Sequence, residues 1–197
     1  MTDQKAVIVY IESTPNPASM KFVANGYLMK DGEVEYRTKE QAVNCPLALQ
    51  LFDFDGVKSV FITNNFVTVT KTEDFEWMEI QGILREFIKG FIESGEKIFI
   101  GNPIDEIKQS EEQKMIAMND PETVTKIMEM LDEYIRPAVE GDGGAINLKS
   151  FVDGIVTVQL KGSCSGCPSS TLTLKAGIEN LLKRMVPGVT EVVAESI

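Results

Sequence analysis

The 197-residue chain contains no histidine. That absence excludes Ser-His-Asp triads, Cys-His dyads, the HExxH zinc helix and every imidazole-ligated metal site, so metal chemistry has to use thiolate or carboxylate. Cationic side chains are scarce: 19 Lys and Arg stand against 30 Asp and Glu, a formal charge of −11, and neither half of the chain is predominantly basic. A nucleic-acid binder needs a cationic footprint to displace counterions, so no nucleic-acid partner is expected. Only three cysteines are present, an odd number that argues against a disulfide framework. No apolar run approaches the ~20 residues of a membrane-spanning helix, so no membrane partner is expected either. The first residues offer only a short apolar run that ends at Glu12. They lack a small-residue cleavage site and the Arg-rich, acid-poor make-up of a transit peptide, and the expected location is cytoplasmic.

The residues that are present read as two units and a polar connector. In the first, residues 1–95, Val7 to Ile11 is a β-branched run ending at Ser13-Thr14-Pro15-Asn16-Pro17, whose prolines forbid a helix or central strand. Lys21 to Ala24 reads as extended. Asn44-Cys45-Pro46 predicts a helix start, with proline in the first helical position and Leu47, Leu51 and Phe54 on one face. Val57–Ile62 and Phe66–Thr70 flank Asn64-Asn65, the pattern of a hairpin. From Asp74 onward Trp77, Ile80, Leu84, Phe87, Ile88 and Phe91 recur at helical spacing up to Gly95, a stripe read as core packing. Residues 96–120 are the expected linker, broken by Gly101-Asn102-Pro103 and almost wholly polar from Glu106 to Lys114. The acidic pair Glu111-Glu112 reads as a solvated face.

The second unit, residues 121–197, opens at Asp120-Pro121, an N-cap followed by proline. Val124, Ile127, Met128, Leu131 and Ile135 predict an amphipathic helix that stops near Arg136-Pro137. Gly141-Asp142-Gly143-Gly144 leads into a strand at Ile146–Val152, Asp153-Gly154 is a hairpin turn, and Ile155–Leu160 is the returning strand. Residues 161–167 are a loop before a helix from Pro168, whose expected buried face is Leu174, Ile178, Leu181, Leu182 and Met185. Pro187-Gly188 stops it ahead of a last strand, Val189–Ala194. The predicted fold class is therefore α+β: two small α+β domains, the second ordered α-β-β-α-β around an antiparallel-type sheet with helices on one side. The Gly141–Gly144 segment is no phosphate loop, since it precedes a strand and has no Lys-Ser/Thr partner. Asp142 reads as a turn former among glycines rather than as a ligand.

The chemistry lies at Cys164 and Cys167, in the loop between the predicted strand and helix. A single C-x-x-C serves as a redox dithiol, as half of a zinc site or as half of an iron–sulfur site. Ser165 and Gly166 leave room for a bulky ligand, and the adjacent helix N-terminus favours thiolate. All three uses fit these facts. Zinc and cubane clusters take four ligands, and the chain has no second C-x-x-C; Cys45 would bring the count to three. The simplest route to four thiolates is two chains, each giving Cys164 and Cys167 across a two-fold axis. Cys45 itself reads as a thiol in place of the usual N-cap serine.

The segments Arg136-Pro137, Gly141-Asp142-Gly143-Gly144 and Gly162-Ser163-Cys164-Ser165-Gly166-Cys167-Pro168-Ser169-Ser170-Thr171, followed by Leu174-Lys175 and Ile178-Glu179, resemble the C-terminal domain of NifU-like (Nfu-type) iron–sulfur cluster proteins. Residues 11–95 resemble the N-terminal domain of the same family through Thr14-Pro15-Asn16-Pro17, Lys21-Phe22, Pro46-Leu47-Ala48, Leu51-Phe52, Gly56–Phe61 and Phe66–Lys71. The resemblance implies that the paired C-x-x-C motifs of two subunits hold a [4Fe-4S] cluster, with a [2Fe-2S] form also open, and hand it to apo-proteins. Cys164 and Cys167 inherit the ligand role. The expectation is a cluster carrier and not an enzyme, a homodimer when loaded, whose partners are apo iron–sulfur proteins and upstream cluster-assembly proteins. A thiol–disulfide oxidoreductase and a zinc-bridged structural dimer are the alternatives. Against the former stand the lack of a thioredoxin-type βαβ order around the motif and of an adjacent aromatic or an intervening proline shaping the dithiol. The first domain is assigned target recognition or dimer support by analogy.

Overall fold

A computed structural model describes residues 6–101, 120–165 and 168–196. The chain divides into two compact units, Met1–Ile104 and Asp105–Ile197. Residues 102–119, which carry most of the expected linker and the Glu111-Glu112 pair, lie outside the described residues.

The first unit is built on a five-stranded sheet. Strands β1 (Val9–Ser13), β2 (Ser19–Ala24), β3 (Glu33–Tyr36), β4 (Val57–Thr63) and β5 (Phe66–Lys71) lie in the order β1-β2-β5-β4-β3, every neighbouring pair antiparallel. The hairpin expected around Asn64-Asn65 joins β4 to β5, with Asn64 at a φ of 42°, a conformation asparagine tolerates better than most residues. Phe22, Val60, Ile62, Val67 and Val69 are buried along these strands. Helix α1 (Pro46–Leu51) starts as predicted, with Cys45 at the N-cap and Pro46 in the first turn. It ends before Phe54, which instead meets Phe87 edge-on with ring centroids 5.0 Å apart. Helix α2 (Trp77–Ser94) buries Leu84, Ile88 and Phe91 and closes on Gly95 in the left-handed conformation. Its Trp77 Nε1 donates to the Pro17 carbonyl at 2.9 Å, tying the helix start to the two-proline turn. The sequence reading contained neither β3 nor the 3-10 turn Lys39–Ala42. β3 is only four residues long, Glu33-Val34-Glu35-Tyr36; it alternates polar and apolar side chains, but over too short a run to stand out as a strand.

The second unit departs from expectation in two places. Helix α3 (Pro121–Met130) begins as read: Asp120 accepts from the Thr123 N–H at 3.2 Å and from its hydroxyl at 2.6 Å. It does not stop at Arg136-Pro137. The chain continues through a π-helical turn, Leu131–Ile135, into α4 (Arg136–Gly141). Pro137 has no N–H to give the carbonyl four residues back, and one widened turn absorbs that missing bond without ending the helix. Strands β6 (Gly144–Val152) and β7 (Ile155–Gly162) are antiparallel around Asp153-Gly154, whose φ values of 50° and 81° make the mirror-image turn the dipeptide predicts. Helix α5 (Pro168–Met185) then returns the chain to the starting end of β7, so β8 (Glu191–Ser196) pairs with β7 in parallel. The sheet, ordered β6-β7-β8, is mixed and not wholly antiparallel. Ile127, Leu131, Ile146, Val158, Leu160, Ile178, Leu182 and Val192 form the core. Each fully buried aliphatic side chain there contributes about 2 kcal/mol against exposure. Met185 is not on the buried face; Val186, one residue past the helix, turns inward instead.

Candidate functional site

The loop carrying the cysteines leaves β7 at Gly162, whose φ of 64° starts the bend. It is tied to the turn between α4 and β6. The Ser163 N–H donates to the Gly143 carbonyl at 3.2 Å, the Ser163 hydroxyl donates to the Asp142 carbonyl, and the Ser165 N–H donates back to the Gly162 carbonyl at 3.1 Å. Gly143, at a φ of 82°, gives that turn its shape. The glycine-rich segment thus serves the cysteine loop through its backbone. Asp142 acts through its carbonyl, and the residue as a whole is exposed.

Cys164 is 3% exposed and packs in the same core as Ile127, Leu160 and Ile178. Its sulfur lies 3.8 Å from the Ser163 hydroxyl. A Cβ added to Gly144 would stand 2.8 Å from that sulfur and 2.7 Å from the Lys161 carbonyl. No side chain larger than hydrogen fits there without displacing Cys164 or the backbone of β7. The first cysteine of the motif is thus part of the core. The structural roles of Gly144 and Ser163 were missed in the sequence. The only signal was the run of small residues itself, which does not say which glycine is needed for space. Cys167 and Gly166 lie outside the described residues. Among the described residues no group of three or more cysteines and carboxylates is placed to hold a metal ion.

Cys45 belongs to the first unit and is fully buried at the N-cap of α1, where its side chain makes no capping hydrogen bond. Burial pushes its thiol up to about 11; the Ala48 and Leu47 N–H groups and the Tyr36 hydroxyl pull it back only in part. A thiol so protonated is a poor ligand and a poor nucleophile at neutral pH.

The β7–α5–β8 arrangement is a strand–helix–strand unit with parallel strands. Contrary to expectation, the motif therefore sits in a βαβ surrounding, although the absence of an adjacent aromatic and of an intervening proline still separates this loop from a shaped redox dithiol. No helix among the described residues is long and apolar enough to cross a membrane.

Residues 9–95 match the family model described as scaffold protein Nfu/NifU N terminal, and residues 127–193 match the NifU-like domain. The second match contains β6, β7, the cysteine loop and all of α5. NifU-like protein 4, mitochondrial, of Arabidopsis thaliana is 37% identical over 194 residues, 98% of this chain and 67% of that protein. The NFU1 iron-sulfur cluster scaffold homolog, mitochondrial, of Homo sapiens is 39% identical over 185 residues, 93% of this chain and 70% of that protein. The solution NMR structure of a NifU-like protein from Saccharomyces cerevisiae superposes with a TM-score of 0.46 and 21% identity, covering 52% of this chain and 92% of that one. With both family domains matched in order and relatives of this similarity spanning nearly the whole sequence, the chain belongs to the Nfu/NifU family of iron–sulfur cluster scaffold proteins.

Proposed function

We propose that this scaffold holds a [4Fe-4S] cluster through Cys164 and Cys167 of two chains and passes it to apo iron–sulfur proteins, without acting as an enzyme. The observation that carries the reading is the bracing of the cysteine loop. Gly143, Asp142 and Gly144 hold Ser163 and Cys164 by backbone bonds and close packing, inside the stretch that matches the NifU-like domain. Two thiolates per chain suit a carrier. A cluster bridging two subunits is held by four bonds, yet each chain contributes only two, so an incoming thiol exchanges with one ligand at a time. In the same reading residues 121–197 form the cluster domain, residues 96–120 a linker, and residues 1–95 a module for choosing targets or supporting the dimer. The upstream partners are cluster-assembly proteins, and the compartment is a reducing aqueous one. The cytoplasm remains the reading from composition; the relatives quoted above are named mitochondrial.

Anaerobic reconstitution with iron and sulfide, followed by metal and acid-labile sulfide analysis, tests this. The expected product is about four irons and four sulfides per two chains, both in the full chain and in residues 118–197 expressed alone. Zinc without sulfide would favour the structural dimer. A metal-free protein cycling between dithiol and disulfide would favour the oxidoreductase.

A further inference from the structure

The outward face of α5 changes character along its length. Leu172 is 76% exposed, and Thr173, Ala176 and Gly177 are exposed with it, whereas the far end exposes Lys183 and Arg184. Leu172 and Ala176 are four residues apart and share a face; Ile178 and Leu182, buried against the sheet, occupy another. From Gly162 to Leu174 the sequence carries no charged residue, in a chain of formal charge −11. Leu172 stands about 6 Å of helix rise beyond Pro168, one turn from the residue that follows Cys167 in the sequence. An isolated exposed leucine is ordinary. This one lies in an uncharged stretch of sequence that contains both cysteines, a ligand set that one chain cannot complete, and Lys175 is the first charge after it.

A tetrathiolate cluster needs two more thiolates than this loop contains, and the remaining cysteine, Cys45, is buried in the other unit. A second loop has to come from a second chain. Both chains are strongly acidic and the cluster they enclose is itself anionic, so charged side chains facing each other across that contact would oppose it. An uncharged, partly apolar face next to the loop removes the opposition and keeps water off the cluster. We infer that the exposed face of α5 around Leu172, with Thr173 and Ala176, is the surface on which a second copy of this chain docks when the two share a cluster. The inference rests on the shared-cluster reading above. A two-fold contact is self-complementary, so the two Leu172 side chains lie close to one another.

The test uses the full chain, loaded anaerobically with iron and sulfide, and compares wild type, Leu172→Met, Leu172→Glu and Leu172→Lys by sedimentation and iron content. Because Leu172 is exposed, the circular dichroism and thermal midpoint of the unloaded variants should match wild type. Leu172→Glu should require about tenfold more protein to form the loaded dimer, as one pair of like charges across an interface demands, with iron per chain falling in proportion. Leu172→Met should behave as wild type. An equimolar mixture of the Glu and Lys variants should recover dimer and iron, which a merely local effect on the loop would not do. A Leu172→Glu protein that loads and dimerises like wild type would overturn this surface while leaving the shared cluster standing. A wild-type protein that loads as a monomer would overturn both.

Discussion

The two units each place a cysteine immediately before a helix-opening proline: Cys45-Pro46 in the first, Cys167-Pro168 in the second. Locally the signals are the same. In the first unit the helix that follows is six residues long, and Cys45 is sealed beneath it, pushed up to about 11 by loss of water. In the second, the proline opens an eighteen-residue helix at the end of a glycine- and serine-rich loop, four residues beyond Cys164. That loop is tied by Ser163 to a glycine turn from a distant part of the chain. Cys164 is nearly as buried as Cys45; what distinguishes the second site is the bracing of its loop by a separate segment, and the Cys-Pro signal does not carry that information.

The comparison can be broken most severely at the cysteines themselves. Cys164→Ser and Cys167→Ser should each lose essentially all iron and acid-labile sulfide, whereas Cys45→Ser should keep the full complement. Because Cys164 is a core residue, its serine variant should also lower the stability of the second unit by about 1–2 kcal/mol, through burial of a hydroxyl in its place. Full cluster content in Cys164→Ser, or its loss in Cys45→Ser, would reverse the assignment of the two sites.

Next in size is Gly144→Ala. The added methyl meets the Cys164 sulfur and the Lys161 carbonyl at less than 3 Å, so overpacking should cost about 2 kcal/mol and reduce cluster content. Trp77, the single tryptophan, reports on the first unit alone. Its fluorescence midpoint in urea should stay fixed while the circular-dichroism transition of the second unit moves to lower urea. A shifted Trp77 midpoint would mean that the two units do not unfold independently.

The narrowest effect is confined to alkaline pH and leaves cluster content at neutral pH untouched. The Cys45 thiol keeps its proton up to about 11 when folded and releases it near 9.0 when unfolded. Between those values the unfolded state binds fewer protons, so stability falls as pH rises through that window and is untouched below it. The whole gap corresponds to about 3 kcal/mol. Cys45→Ser should remove this part of the alkaline destabilisation of the first unit. An unchanged pH dependence in the variant would show that Cys45 is not held as described.

Much of this architecture was legible in advance because it is written in local chemistry. Asn64 and Asp153-Gly154 supply positive φ and set both hairpins, Asp120-Pro121 and Cys45-Pro46 open helices, and Gly95 closes one. The cysteine pair was legible for the same reason, as a short motif in a permissive loop. The misreadings involve partners that lie far apart in sequence. Pro137 was read as a stop because proline ends most helices; the chain instead runs on through the π turn, with Leu131 at its start and Val139 beyond it both packed in the core. β3 was missed because its four residues are too short a run to stand out, in a strand that exists by pairing with β4.

The sequence by itself determined most element types, the turns and the two-unit organisation, and it singled out the candidate ligand pair, since periodicity, glycine and proline act over a few residues. Only the tertiary structure decided that β8 runs parallel to β7, that Cys164 lies in the core, and that Gly144 must be glycine because the sulfur of a residue twenty positions away occupies the space of its side chain. Those outcomes depend on which distant backbones come into contact, and that is set by burial of the whole apolar surface at once and by no local pattern.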